Sequence, residues 1–295
     1  KRGEGGPHRL DRRRLTPTQT KLFCVVSNLV GLRLCRPRRV FQDRCMISST
    51  TSCPRRTIVA WHGVLTLAFE AWPKPMAEIK KCITDMPEFR SFSENFGTRW
   101  PKLTLAALND DAPPLTLDRL RDLTALCQEF DAELQKLGAV PLTHCSIVMF
   151  ASRSLEHCLC RVDYAFMQEE SPSSSHQNEQ EYDADSYEIV RDVVKETEQQ
   201  LDEYISKVNA PGHRWGKHYN TTWTETTLVC FLTNDNGDAV MSPSTSCLLA
   251  LMTSFRERVD TLLPGAYTWM PQKSLHLSLR ALDNRSNVQR DIQKK

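Results

Sequence analysis

The octapeptide "LHLSLRAL" at 275–282 reads in step with "KLTLAAL" at 102–108, so that Lys102 stands where the later stretch has His276. In both, leucine recurs at every second position of the first half, and a small hydroxyl residue falls between, Thr104 in one and Ser278 in the other. Alternation with a period of two marks a strand with one apolar face. The leucines are therefore expected to face a core, and Lys102 with Thr104, and His276 with Ser278, to share the opposite side.

Working outward, Ile58 to Phe69 is a β-rich run, and Ala77 to Met86 has helical spacing after the breakers Pro73 and Pro75. Thr116 reads as the N-cap of a helix whose apolar face includes Leu120, Leu123, Leu126, Phe130 and Leu134 and which Gly138 closes. Leu142 to Phe150 is a further strand. Gln168 to Asp185 is acidic, rich in serine and nearly free of aliphatics, and is expected to be a loop. One long amphipathic helix is expected from Ile189 to Val208, a strand from Thr226 to Thr233, a helix from Thr245 to Leu263 and the final strand at 275–282.

The passages 58–108 and 226–282 thus repeat strand, helix, strand. The fold class this implies is α+β: two pseudo-symmetric β-α-β lobes with antiparallel sheets around a central cleft, helices outside and the two closing strands side by side. The expected division is a basic segment 1–57, a first lobe 58–160, an insert of acidic loop and helix 161–222, a second lobe 223–284 and a tail 285–295. Only thirteen residues follow Leu282, so the second lobe is expected to take its last strand from elsewhere, either 160–167 or 217–224.

Charge is distributed unevenly. Residues 1–57 hold fourteen Lys or Arg against Glu4, Asp11 and Asp43, which leaves 24 basic and 33 acidic side chains for the rest. An acidic body argues against duplex nucleic acid as a partner, which needs many phosphates neutralised, while a local basic groove still suits one strand end. The basic segment, rich in Arg, Ser and Thr, reads as a chloroplast or mitochondrial targeting segment, or else as a tail on an intracellular, cytoplasmic protein. Eleven cysteines without C-x-x-C pairs match neither a zinc site nor a secreted disulfide framework. The group His157-Cys158-Leu159-Cys160 is expected to pack on a helix rather than to hold a metal. The most apolar candidate, Leu22 to Leu34, is broken by Ser27, Asn28 and Arg33 and falls short of the roughly 18 residues of a membrane span, so no membrane partner is expected. A monomer is the expected state.

His-x-Ser occurs twice among the eight histidines, at 144–146 and 276–278, which is close to what chance supplies. Context separates the two, because His276 has apolar flanks at alternating positions and a frame that recurs at Lys102. Leu275-His276-Leu277-Ser278-Leu279 resembles the H-x-[ST]-φ motif of the two-histidine (2H) phosphoesterase superfamily, which includes the RNA 2′-5′ ligase and cyclic phosphodiesterase enzymes. The order of elements from 58 to 282 is also similar.

The resemblance implies a metal-independent, cofactor-free attack on a nucleotide or RNA-end phosphoester, with one motif from each lobe. It implies one histidine as general base and the other as general acid, with the hydroxyls, here Ser278, holding phosphate oxygens; with a lysine at the other motif, His276 is expected as the base. Lys102 departs from the pattern. An ammonium is a poor base, but it stabilises developing charge or gives up a proton, so Lys102 is expected as the catalytic partner with Thr104 as its hydroxyl. Arg280 is expected to bind phosphate, and Arg99, Trp100 and Trp269 flank the two strands. His62 is a further candidate for a second imidazole, as is His144 with Ser146, the literal match to the motif. The alternative function is a module on the same fold that binds a nucleotide or RNA end without turnover.

Overall fold

Period-two leucines make the central strands two-faced. The structure, a computed structural model, describes residues 49–87, 89, 94–166, 181–198, 201–221, 225–234, 237–238 and 242–282. The basic segment as far as residue 48, most of the acidic stretch 168–185 and the tail 285–295 lie outside the described residues.

The strands are β1 (Thr50–Ser52), β2 (Pro54–Val59), β3 (Leu65–Phe69), β4 (Lys102–Leu108), β5 (Val140–Leu142), β6 (His144–Phe150), β7 (Cys158–Ala165), β8 (Glu225–Phe231), β9 (Tyr267–Trp269) and β10 (His276–Ala281). The α-helices are α1 (Lys74–Asp85), α2 (Leu117–Leu137), α3 (Ala184–Glu198), α4 (Leu201–Val208) and α5 (Pro243–Leu262). Eight strands form one antiparallel sheet in the order β2-β3-β4-β10-β8-β6-β7, with β9 paired to the later part of β4. The protein is therefore α+β, and β4 and β10 are neighbours at the middle of the sheet.

One sheet face presents Leu103, Leu277, Leu279, Leu228, Cys145 and Ile147 to the main core, which α2 and α5 cover. The rings of Phe130 on α2 and Phe255 on α5 meet edge to face at 5.1 Å. Burial of each such side chain contributes about 1.5–3 kcal/mol. The N-terminus of α2 is capped as expected, Thr116 Oγ1 accepting from the Arg119 N–H at 3.3 Å, and Gly138 follows its last turn at φ 69°. Helix α3 takes the other side of the sheet: Val190 and Val194 pack on Ile58, Ala68 and Trp100.

Three expectations are corrected, and a fourth is met in part. Ile58 to Phe69 is two strands, β2 and β3, because His62 (φ 63°) and Gly63 (φ 72°) reverse the chain. The stretch from Ile189 is described as two helical segments with residues 199–200 between them outside the described residues: α3 packs on Ile58, Ala68 and Trp100, while Tyr204 and Val208 of α4 enter the main core. Residues 50–57 belong to the fold: β1 pairs with β5, and Thr57 N–H donates to Asp131 of α2 at 2.9 Å. His157–Cys160 lies at the start of the strand β7 and not on a helix.

The halves of the sheet exchange chain. Strands β6 and β7 follow β4 in sequence, yet β6 pairs with β8, so the β10-β8-β6-β7 half is completed by 144–165. The 160–167 alternative named the donor of the last strand, and 217–224 did not, since Trp215–Tyr219 is a π-helical turn.

Candidate functional site

Strands β4 and β10 run antiparallel with Leu103 opposite Leu277. One step to either side puts Thr104 beside His276 and Lys102 beside Ser278. All four leave the leucine face and line one cavity of about 580 Å³. Arg280 and His62 reach the same cavity, and its rim carries the half-exposed rings of Trp61 and Phe96.

His276 is oriented by its own backbone. Its Nδ1 lies 2.7 Å from the Ser274 carbonyl, which only accepts, so Nδ1 carries the proton and Nε2 keeps a lone pair. Burial pushes its pKa down to about 4, against the opposing pull of that carbonyl. The ring is neutral at pH 7 and suited to accept a proton.

Lys102 Nζ lies 4.6 Å from the centre of the Trp100 ring, a cation–π contact. It forms no hydrogen bond or ion pair with any other described residue. Desolvation pushes its pKa down to about 8. Gly97 makes room for it, since a Cβ there would stand 3.3 Å from Nζ. The turn carrying Gly97 is anchored by Glu94, whose carboxylate lies 2.7 Å from Lys80 Nζ and 3.8 Å from Arg280 Nη1. Arg280 thus reaches the cavity wall as a nearly fully buried cation beside a carboxylate. Burial pushes the Tyr219 hydroxyl up to about 12, against an opposing pull from the nearby Thr104 hydroxyl.

Other candidates fall elsewhere. His144 meets Thr143 Oγ1 at 3.2 Å and Ser146 donates to Asp163; both stand on β6, separated from β10 by β8, and neither lines the cavity, which on β6 is reached by Phe150 at the far end. Trp269 donates its indole N–H to Asp260 at 2.8 Å, and Arg99 is an exposed residue outside the lining.

His62 heads a row of rings that sequence reasoning missed. Its Nδ1 is 3.0 Å from the Ala210 carbonyl, and its ring packs where a Cβ on Gly212 would come within 2.9 Å. His213 is 4.5 Å from it, and His218 stacks on His213 at 3.9 Å. The signal was the density of rings in Gly212-His213-Arg214-Trp215-Gly216-Lys217-His218-Tyr219. Among the described residues no group of three His, Cys, Asp or Glu side chains has a metal-holding arrangement, and no helix is long and apolar enough to cross a membrane.

The cavity pairs a neutral imidazole with an ammonium that lacks a counter-charge among the described residues, an arrangement able to take a proton and to receive an anion. No family model, curated protein or solved structure matches the chain.

Proposed function

We propose that the protein is a metal-independent phosphodiesterase of the two-histidine type, acting on a 2′,3′-cyclic phosphate or a similar nucleotide or RNA-end ester. The observation that carries this reading is the placement of Lys102 and His276 on adjoining strands, facing one cavity. His276 Nε2 takes the proton of an attacking water as its oxygen bonds to phosphorus. Lys102 stabilises the charge gathering on the phosphoryl oxygens and protonates the departing ribose oxygen as its bond to phosphorus breaks. Ser278 donates to a phosphoryl oxygen. Arg280 and Glu94 hold the turn that positions Lys102. On this reading the two half-sheets descend from one duplicated β-α-β unit, with β4 and β10 as equivalent closing strands.

The test is incubation with nucleoside 2′,3′-cyclic phosphates in EDTA, following the linear monophosphate. Turnover is expected, falling about 10²–10⁴-fold in His276→Gln. Full activity in that variant would overturn the assignment.

One observation favours a second reading, a binding module without turnover: a lysine, Lys102, stands where the first motif has its histidine. Tight binding of a nucleoside 3′-phosphate with no product from the cyclic ester would establish it.

A further inference from the structure

Across the cavity from Lys102 stands a second cationic group that the chemistry above leaves unused. Arg153 follows β6 in the turn toward β7. Its Nη2 lies 3.1 Å from Glu225 Oε1, and its Nη1 lies 3.4 and 3.3 Å from the two ring nitrogens of His218. His218 stacks in turn on His213. The π-helical turn Trp215–Tyr219 carries His218 over the sheet and is tied down by the Ser154 N–H donating to the Tyr219 carbonyl at 3.1 Å. Arg153, His213 and His218 all line the cavity that holds Lys102 and His276.

Spacing decides what this group is for. In the order β4-β10-β8-β6, the strand bearing Lys102 and the strand leading to Arg153 are three steps apart. At about 4.8 Å per step that is on the order of 14 Å between backbones, and Glu225, which holds the guanidinium, lies four residues along β8 from the Val229 that pairs with Ser278 beside Lys102, so the two cations face separate stretches of the cavity. A guanidinium stays charged at every working pH and presents a fork suited to phosphate, and a neighbouring imidazole adds a donor.

We propose that Arg153 with His218 is a second anion subsite, and that the ligand is a single-stranded oligonucleotide end carrying at least two phosphates rather than a mononucleotide. This inference rests on the phosphoester reading above. Glu225 sets the guanidinium in place when the cavity is empty and opposes the incoming phosphate. The other carboxylate lining the cavity, Glu196, is occupied by Lys207 and by the Trp61 indole N–H.

The experiment is calorimetry with three oligouridylates that end in a 3′-phosphate and carry one, two or three phosphates, at two salt concentrations. Affinity is expected to rise about tenfold from the shortest to the longest, and the gain to shrink at the higher salt. Arg153→Gln and His218→Gln bring the long-to-short ratio toward one. Glu225→Gln raises it, which a bridge serving only to hold the fold would not do. Equal affinity at all three lengths, or a gain that survives Arg153→Gln, overturns this inference and leaves the phosphoester reading standing. Failure of every oligouridylate to bind overturns both.

Discussion

Lys102 holds a charge in a place that opposes it, and that conflict yields two expectations of opposite sign. Its ammonium has lost water without gaining a carboxylate among the described residues, and only the Trp100 face offsets the loss. Lys102→Met is therefore expected to raise the thermal midpoint at neutral pH by a few degrees while lowering turnover by about 10²–10³-fold. A lower midpoint in a folded variant would show that the ammonium is stabilised by something else. His276 gives a pH test. Its folded pKa of about 4 lies below the ordinary 6.5, so the unfolded chain binds the proton more tightly between those values. The stability it contributes is complete above pH 6.5 and is lost as pH falls toward 4. Urea denaturation at pH 7 and 5 is expected to show a larger loss for the wild type than for His276→Gln. Activity is expected to be level between about pH 4 and about pH 8, since the base must be neutral and Lys102 charged; equal pH slopes in the two proteins, or a rate climbing above pH 8, would count against these roles. Much of this site was readable from the paired alternations at 102–108 and 276–282, because a strand's period fixes which side chains share a face. The imidazole row was not, because it depends on a π-helical turn and on a left-handed His62, and neither leaves a periodic trace.

At the level of elements, the attachment of β2 to α2 depends on one buried carboxylate. Asp131 Oδ1 accepts the Thr57 N–H at 2.9 Å, and its Oδ2 lies 3.3 Å from Arg56 Nε. Burial pushes its pKa up to about 6 despite those partners. Stability from this group is complete below pH 3.8 and is lost as pH rises through about 6. Asp131→Leu is expected to cost about 1–3 kcal/mol in urea denaturation, since the Thr57 N–H is left buried without an acceptor, and Asp131→Asn to cost less because it keeps one. Equal losses in the two variants would mean that the acceptor is not what matters. The clasp explains why residues 50–57 join the fold although they read as part of the basic segment. Arg55 and Arg56 look like more of the same charge, and their sequence gives no sign of the carboxylate that receives Arg56. Helix α2 was fully legible because its cap, its apolar spacing and its closing glycine all agree. The β2–β3 reversal was hidden because Trp61-His62-Gly63-Val64 looks like continued strand to any pattern of apolarity.

For the whole molecule, the feature that matters most is the exchange of strands between the halves of the sheet. Because β6 pairs with β8 rather than with β2-β3-β4, a fragment of residues 49–166 leaves the β6-β7 pair cut off from the other strands, with the edges of β6 and β4 that β8 and β10 cover both open. Such a fragment is expected to aggregate, and co-expression with 181–282 to recover a soluble complex; a soluble, cooperatively unfolding 49–166 would refute this account of the sheet. The division at residue 160 was reasonable from the spacing of elements, but strand partners across the sheet are set by three-dimensional closure, which local patterns do not encode. The seam where β4 meets β10 is built from stretches made far apart in time. A ribosome has long since released β4 when it adds His276, so the nascent chain carries half a pocket through most of its synthesis. On the proposed phosphoester reading, ligand recognition is withheld until the late strand docks, and in refolding it is expected to lag behind the gain of helix.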